Sequence, residues 1–369
     1  MSAKPRTAGG ARTLPGHYYT DDAVFAREQE QIFARHWLCA GRQDRLDGDR
    51  PGRFFLHQVG AESVILTRDH SGAVRGFYNV CRHRGARLCS ADGDAPGGFR
   101  CVYHGWTYGH DGRLAGAPNM AEVAGFDRAD YPLVEVPTAT WGGYVFVHLT
   151  SDPTSFATVF APILDKFADW QLDRLVVRER VVYDVAANWK LIFENYAECY
   201  HCPTLHPALN RLTPYRDSDN DLEQGLILGG PMTLAAEDGS MTETGRRCAP
   251  VLGTVSGPDR RRIYYYTVFP TLFLSLHPDY VLTYRVQPVA SDHTRVICEW
   301  LFDPAAEDAP DFAPEQAVRM WDRVNREDWH ACELSQLGVS SRGYRPGPYA
   351  ELESQSTAFD RCYLDAMKG

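Results

Sequence analysis

The spacing of hydrophobic residues changes along the chain, and each change predicts a different kind of structure. Over 21–36 apolar side chains recur at helical intervals, which predicts a helix. From residue 37 to about 150 the chain shows short alternating stretches separated by Gly, Asp and Pro, as at 54–56, 63–67 and 76–80. This alternation predicts a small antiparallel β domain.

The second half of the chain mixes the two periodicities. We expect strands over 176–185, 263–289 and 294–302, helices over 156–170, 188–200 and 314–337, and long loops over 211–258. A β-rich domain followed by a region of antiparallel strands and helices predicts an α+β fold.

Composition and charge narrow the class of protein. The 369 residues are 44% hydrophobic and 23% charged, which is typical of a folded globular chain. The net charge of −10 argues against a nucleic-acid partner, and no apolar run reaches the ~18 residues of a membrane helix. Residues 1–16 lack the apolar core of a secretory signal and are expected to be a flexible lead-in. Ten cysteines without such a signal indicate a reducing compartment, the cytoplasm.

Two pairs of soft ligands lie in Gly-flanked turns of the predicted β domain. Cys81 and His83 form the first pair, and Cys101 and His104 form the second after seventeen intervening residues. Structural zinc sites favour closely spaced Cys pairs, whereas one Cys and one His from each of two loops is the arrangement of a Rieske [2Fe–2S] cluster. A zinc knuckle, or loops with incidental Cys and His, is the alternative. Cys89 has no matching His and is expected to be a plain thiol.

A second set of possible metal ligands follows the helix predicted over 188–200. Glu198 and His201 are expected on one face of that helix. Pro203 ends or kinks the helix, so His206 can return toward His201. Two imidazoles brought together in this way suit a divalent transition metal.

The third ligand of such a metal has to come from another part of the chain. Asp328 lies on a largely apolar stripe of the helix predicted over 314–337, and a buried carboxylate needs a partner. With His201 and His206 it would complete the two-His, one-carboxylate triad of non-heme Fe(II) enzymes. Asp322 and Glu327 are expected on other faces of the helix and are weaker candidates.

Together these motifs resemble a Rieske non-heme iron oxygenase, catalytic α subunit, over nearly the whole chain. The resemblance implies a lead-in and helix over 1–36, a Rieske domain over 37–150, and a catalytic domain with a helix-grip-like antiparallel sheet over 151–369. It implies a homotrimer in which the cluster of one subunit passes electrons to the iron of the next. It also implies O₂ as co-substrate and a separate flavin and iron–sulfur reductase that draws on NAD(P)H.

The resemblance also gives Glu198 a role. In that family the carboxylate at this position bridges a cluster histidine and an iron-ligand histidine, so electrons would pass through His104, Glu198 and His201. Most ring-hydroxylating members carry Asp there. Glu within E-N-Y-A-E-C-Y-H-C is similar to the branch that acts on quaternary ammonium compounds, such as glycine betaine demethylases and carnitine oxygenases. Asn195, in the same stretch, is predicted with Glu198 as a catalytic residue.

The implied reaction is hydroxylation of a small organic substrate, which on an N-methyl group releases formaldehyde. Ring hydroxylation by an arene dioxygenase is the alternative. A Rieske electron-transfer protein without catalysis is a different class, against which the roughly 220 residues after the β domain argue. A cation would favour an aromatic cage, although an arene would accept the same pocket and such side chains commonly pack a core. The candidates are Tyr196, Tyr200, Phe269, Phe273 and Tyr264 to Tyr266.

Overall fold

The computed structural model describes residues 10–48 and 52–369. These residues divide into two compact units, Phe33–Phe156 and a larger unit that joins the segment ending at Ile32 to Ala157–Gly369. The first nine residues of the predicted lead-in lie outside the described residues. Within the described part of the chain, no helix is long and apolar enough to cross a membrane.

The smaller unit is built from short antiparallel strands, as the alternating pattern predicts. They form a five-stranded sheet in the order β5-β2-β3-β4-β9 and two three-stranded sheets, β1-β11-β10 and β6-β7-β8. The strands are β1 (Leu38–Arg42), β2 (Arg53–Val59), β3 (Glu62–Arg68), β4 (Val74–Tyr78), β5 (Gly93–Asp94), β6 (Phe99–Arg100), β7 (Thr107–Tyr108), β8 (Leu114–Gly116), β9 (Glu135–Val136), β10 (Thr138–Trp141) and β11 (Tyr144–Val147).

The larger unit contains one six-stranded antiparallel sheet in the order β12-β17-β16-β15-β14-β13. Its strands are β12 (Val176–Val185), β13 (Ile227–Thr233), β14 (Arg262–Val268), β15 (Leu272–Leu276), β16 (Val281–Ala290) and β17 (His293–Phe302). Because side chains alternate across a strand, Tyr264 and Tyr266 share one face of β14 and stack on each other, while Tyr265 points to the opposite face toward Tyr196.

Helices pack against this sheet and against one another. The helices are α1 (His17–Thr20), α2 (Asp22–Glu28), α3 (Phe156–Phe160), α4 (Trp189–Tyr196), α5 (Cys202–Leu205), α6 (Pro207–Leu212), α7 (Pro314–Val339) and α8 (Ser354–Ala366). In α7 the predicted apolar stripe is buried, with Trp321, Val324 and Cys332 all at most 4% exposed.

Four sequence predictions differ from the structure. The helix predicted over 21–36 continues as α2 followed by a π-helix, Gln29–Phe33. That predicted over 156–170 is α3 followed by turns. The helix predicted over 188–200 ends at Tyr196, so Glu198 and His201 do not share a helix face. Strand β13 lies within the segment predicted as loop, because Gly229 and Gly230 pair with β14 although they carry no apolar side chain to reveal a strand.

Candidate metal centres and substrate cavity

The two Cys–His pairs of the smaller unit lie on loops with the same backbone pattern. In the first loop the amide of Gly85 donates to Cys81 O at 3.0 Å, and in the second the amide of Gly105 donates to Cys101 O at 3.0 Å. Both glycines adopt a φ of +74°, a conformation that residues with a Cβ rarely take. The sequence C-x-x-x-G in each loop therefore places the cysteines in equivalent positions, whereas the histidine follows its cysteine by two residues in the first loop and by three in the second.

In these loops the two cysteines are buried, and the two histidines lie nearer the surface. Cys81 and Cys101 are each 2% exposed and are free thiols. His83 is half-buried and His104 is exposed, with 4.5 Å between their ring centroids. Nδ1 of His83 is enclosed and has no hydrogen-bond partner among the described residues. Burial and the neighbouring His104 lower the pKa of His83, which keeps its imidazole neutral and able to bind a metal.

These residues fit a Rieske cluster. In such a cluster two thiolates bind one iron and two neutral imidazoles bind the other, and a pair of loops supplies one of each. The hydroxyl of Tyr108 lies 3.4 Å from Cys81 Sγ and accepts from the amide of Arg82 at 2.9 Å, so its proton is available to the sulfur. Hydrogen bonds of this kind tune a cluster's potential.

The second centre lies where the chain leaves α4. His201 and His206 flank the single turn of α5, whose second residue is Pro203, so the two imidazoles lie close together and nearly perpendicular, with ring centroids 5.3 Å apart. Ligand atoms of His201, His206 and Asp328 all lie within 4.8 Å of one another. The structure thus brings together the three residues predicted as ligands, even though the helical-face argument for His201 was wrong.

Each imidazole presents Nε2 to the centre and Nδ1 to a second carboxylate. His206 Nε2 lies 2.7 Å from Asp328 Oδ1, and His201 Nε2 lies 3.4 Å from the same oxygen. His201 Nδ1 donates to Glu198 at 2.6 Å, and His206 Nδ1 donates to Glu327 at 2.6 Å. Carboxylates that hold the outer nitrogen of a histidine fix its tautomer and orient it toward a metal.

Glu327 was assigned to another face of α7, and the structure gives it a contact that sequence reasoning missed. It precedes Asp328 on the helix, and His206 lies across the helix so that its two nitrogens reach both carboxylates. The pair E-D at 327–328 was visible in the sequence, but only the placement of His206 reveals that both are used. Asn195 Nδ2 donates to Asp328 Oδ1 at 3.2 Å, which holds that carboxylate from a second direction.

The charge around this centre favours a cation. Burial alone would lower the pKa of His201, but hydrogen bonds that its imidazole donates to Asp328 and Glu198 outweigh it and raise that pKa to about 10. Burial would raise the pKa of Asp328, yet the two histidines lower it. Three carboxylates around two imidazoles therefore form a negatively charged group, and a divalent metal on its nitrogen and oxygen donors would neutralise the charge. The donor set fits a mononuclear non-heme iron.

The segment around His201 carries a further covalent link. Cys199 and Cys202 form a disulfide across His201. The remaining eight cysteines are free, and of these Cys89 is a half-buried thiol, as predicted for it.

A cavity of about 130 Å³ opens beside the second centre. Five aromatic side chains line it: Tyr196, Tyr265, Tyr284, Trp321 and Trp329. Of the other predicted cage residues, Phe269, Phe273, Tyr264 and Tyr266 are buried in the core and Tyr200 is 54% exposed. The hydroxyls of Tyr196 and Tyr284 are bonded to Ser275 and Asn325, so these rings are fixed in place.

Comparison with known proteins identifies the family that carries these two sites. The chain matches the ring-hydroxylating alpha subunit (catalytic domain) over residues 172–369 and the Rieske [2Fe-2S] domain over residues 36–127. It therefore belongs to the Rieske non-heme iron oxygenases, as an oxygenase α subunit that combines a [2Fe–2S] cluster with a mononuclear iron.

Individual relatives place the chain within that family. It is 31% identical to the glycine betaine monooxygenase oxygenase subunit of Chromohalobacter salexigens, over 98% of this chain and 87% of that protein. It is 35% identical to the carnitine monooxygenase oxygenase subunit of Escherichia coli, over 54% of each chain. The solved structure of a quaternary ammonium Rieske monooxygenase has the same fold, with a TM-score of 0.81 at 24% identity over 97% of this chain and 96% of that one.

Proposed function

We propose that this oxygenase hydroxylates an N-methyl group of a small ammonium compound, and that the product loses formaldehyde. The observation that carries the proposal is the aromatic cavity directly beside His201, His206 and Asp328. Aromatic faces stabilise a desolvated ammonium group through cation–π interaction. Relatives named for glycine betaine and carnitine support an ammonium substrate over an arene.

We assign the cluster to Cys81, His83, Cys101 and His104, and the mononuclear iron to His201, His206 and Asp328. When bound, the cluster supplies single electrons and the iron supplies the reaction with O₂. The chain's own contribution is orientation. Glu198 and Glu327 keep the protons of both histidines on Nδ1, so Nε2 stays available to the metal, while Asn195 holds the carboxylate of Asp328.

Glu198 is proposed to link the two centres between subunits. Its Oε1 accepts from His201, and its Oε2 accepts from the amides of Tyr200 and His201. The carboxylate is thereby held rigidly, and it keeps lone pairs with which to accept from the partner subunit's His104. This role requires an oligomer, for which we propose the homotrimer that the family resemblance implies.

The remaining proposals concern organisation and partners. The division at residues 36 and 150 is supported by the compact unit Phe33–Phe156. A separate flavin and iron–sulfur reductase fed by NAD(P)H is supported by relatives that are named as oxygenase subunits. A cytoplasmic location is supported by the eight free cysteines.

The test is turnover with purified protein, a surrogate reductase and NADH. O₂ uptake and formaldehyde would be measured together across N-methylated ammonium compounds and simple arenes. The proposal expects O₂ uptake matched by formaldehyde with at least one ammonium compound. A dihydrodiol from an arene, with no formaldehyde from any ammonium compound, would contradict it.

A further inference from the structure

Apart from two histidines, the ionisable side chains of Asp, Glu, Lys and Arg type that line the substrate cavity are all acidic in the described part of the chain. Asp219, Glu198 and Asp328 contribute carboxylates, whereas no lysine or arginine lines the cavity in the part of the chain that the structure describes. The histidines of the wall, His201 and His206, are the proposed ligands of the iron. Lys166, a cation close to the 218–220 segment in space, is paired with Asp221 at 2.7 Å and is not part of the lining.

This distribution bears on which ammonium compounds the cavity accepts. Away from the iron assigned to His201, His206 and Asp328, the carboxylate of a betaine would be desolvated there without a cationic partner, which strongly disfavours its binding. If the carboxylate instead faced solvent at the segment 218–220, it would meet the exposed side chain of Asp219. Like charges held close together repel, so both placements of a betaine carboxylate are unfavourable.

The same walls suit an ammonium group that carries a neutral polar substituent. The ring of Tyr265 contacts those of Tyr196 and Trp321, each at a centroid distance of 6.3 Å, and these rings provide faces for the cation. The hydroxyl of Tyr265 has no hydrogen-bond partner among the described residues, and Gln355 Oε1 is likewise unpaired. A hydroxyl or an amide of the substrate can satisfy such groups without bringing a charge.

We infer that this site selects a methylated ammonium cation whose other polar group is uncharged, and that Asp219 makes it discriminate against betaine zwitterions. The inference rests on the proposed function and narrows it. It separates this chain from the relatives that are named for glycine betaine and carnitine.

A matched pair of probes tests this inference directly. Choline and glycine betaine share the trimethylammonium group and differ by a hydroxymethyl against a carboxylate. Their binding to the metal-loaded protein would be followed by quenching of tryptophan fluorescence, since Trp321 and Trp329 line the cavity, and by calorimetry. Choline is expected to bind at least about tenfold more tightly, which corresponds to ~1.4 kcal/mol.

Variants of Asp219 identify the cause of the preference. The exposed side chain makes no hydrogen bond among the described residues, so Asp219→Asn and Asp219→Lys should fold. Asp219→Asn should reduce the preference for choline, and Asp219→Lys should reverse it by supplying the missing cation. Asp217→Asn, an exposed neighbour outside the lining, is the control and should change neither affinity.

The inference is overturned if the unmodified protein binds glycine betaine as tightly as choline, if Asp219→Lys leaves the ratio unchanged, or if neither compound binds. The proposed function fails separately. If choline binds with the expected preference but neither choline nor any other methylated ammonium compound yields formaldehyde, the charge selectivity stands and the reaction assignment falls.

Discussion

Four carboxylate and amide side chains surround two histidines in the larger unit, and each has a distinct position. Asp328 faces Nε2 of both imidazoles, Glu198 and Glu327 accept from the two Nδ1 atoms, and Asn195 donates to Asp328. Asp328 is therefore a proposed metal ligand, whereas the other three side chains orient the ligands.

Replacing Glu198 by Gln tests the electron path. The amide keeps the size of the side chain, so both metals should remain bound, but it loses the negative charge that accepts from His201 and, in the proposed role, from the partner subunit's His104. Oxidation of the reduced cluster during a single turnover should slow by about 10–100-fold, the usual effect of losing such a partner. Stopped-flow absorbance of the cluster measures this rate.

The control for that experiment is Glu237→Gln, an exposed carboxylate outside the cavity lining. Cluster oxidation at the unmodified rate in Glu198→Gln would refute the bridging role.

Glu327→Ala tests the contact that sequence reasoning missed. Without a carboxylate on Nδ1, His206 is less basic and less well oriented, so affinity for the mononuclear iron should fall by about 10–100-fold. Iron per chain after dialysis measures occupancy, and the visible spectrum of the cluster should be unchanged. Glu315→Ala, in the exposed first turn of the same helix, should retain full iron; equal retention by Glu327→Ala would contradict the assignment.

Much of the residue-level description was accessible from sequence. The spacing of Cys81, His83, Cys101 and His104 predicted one cysteine and one histidine in each of two Gly-flanked turns, and the structure shows the same Gly-to-Cys backbone hydrogen bond in both. Glu327 was not predictable, because helical periodicity places adjacent residues 100° apart and cannot reveal that one imidazole spans both. That no lysine or arginine of the described residues lines the cavity could be seen only from the fold, since the lining comes from segments far apart in the chain.

At the scale of elements, loops and helix ends position the chemistry. The predicted helix over 188–200 stops at Tyr196, and the turn that follows lets Glu198 fold back onto His201. Apolar periodicity continues past that point in the sequence, which is why the end was misplaced. In the smaller unit, β7 carries Tyr108 beneath the first loop, where its hydroxyl meets Cys81.

Tyr108→Phe tests the contribution of that strand to the cluster. A hydrogen bond to sulfur stabilises the more negative, reduced cluster, so its loss should lower the reduction potential. The shift should be on the order of 50 mV, since a hydrogen bond to a charged group is worth ~1.5 kcal/mol and a one-electron couple shifts by ~59 mV per tenfold change. Tyr131→Phe, a nearby ring that packs on Trp106, is the matched control for redox titration. An unchanged potential in Tyr108→Phe would contradict the assigned contact.

Glu194 of α4 and Asp360 of α8 lie close together, and their carboxyl groups make the stability of the fold depend on pH. Burial raises the pKa of Asp360 to about 7, and burial with the nearby Asp360 raises that of Glu194. The folded chain therefore holds protons that the unfolded chain releases above its carboxyl pKa of ~4. This contribution to stability is present at low pH and is lost as pH rises toward 7.

Asp360→Asn removes that dependence. Relative to the unmodified protein, the variant should gain thermal stability as pH rises from 5 to 8, as measured by Tm at each pH. Asp365→Asn, an exposed carboxylate on the same helix, should give a constant difference. A difference that does not vary with pH in Asp360→Asn would show that the carboxyl titrates normally.

At the scale of the whole molecule, the sequence predicted two domains with different periodicities, and the residues described fall into two compact units. Each unit carries one proposed set of metal ligands, and the sets differ in chemistry: two cysteines and two histidines in one, two histidines and a carboxylate in the other. The central claim is that one chain holds an electron-supplying cluster and a separate site for reaction with O₂.

Metal and sulfide analysis of the purified, reconstituted protein tests that claim most directly. The account predicts about three irons and two acid-labile sulfides per chain, with the visible and paramagnetic signatures of a Rieske cluster. Asp328→Ala should retain only the two cluster irons with that spectrum intact. A colourless protein, zinc in place of iron, or two irons in both the unmodified chain and the variant would contradict it.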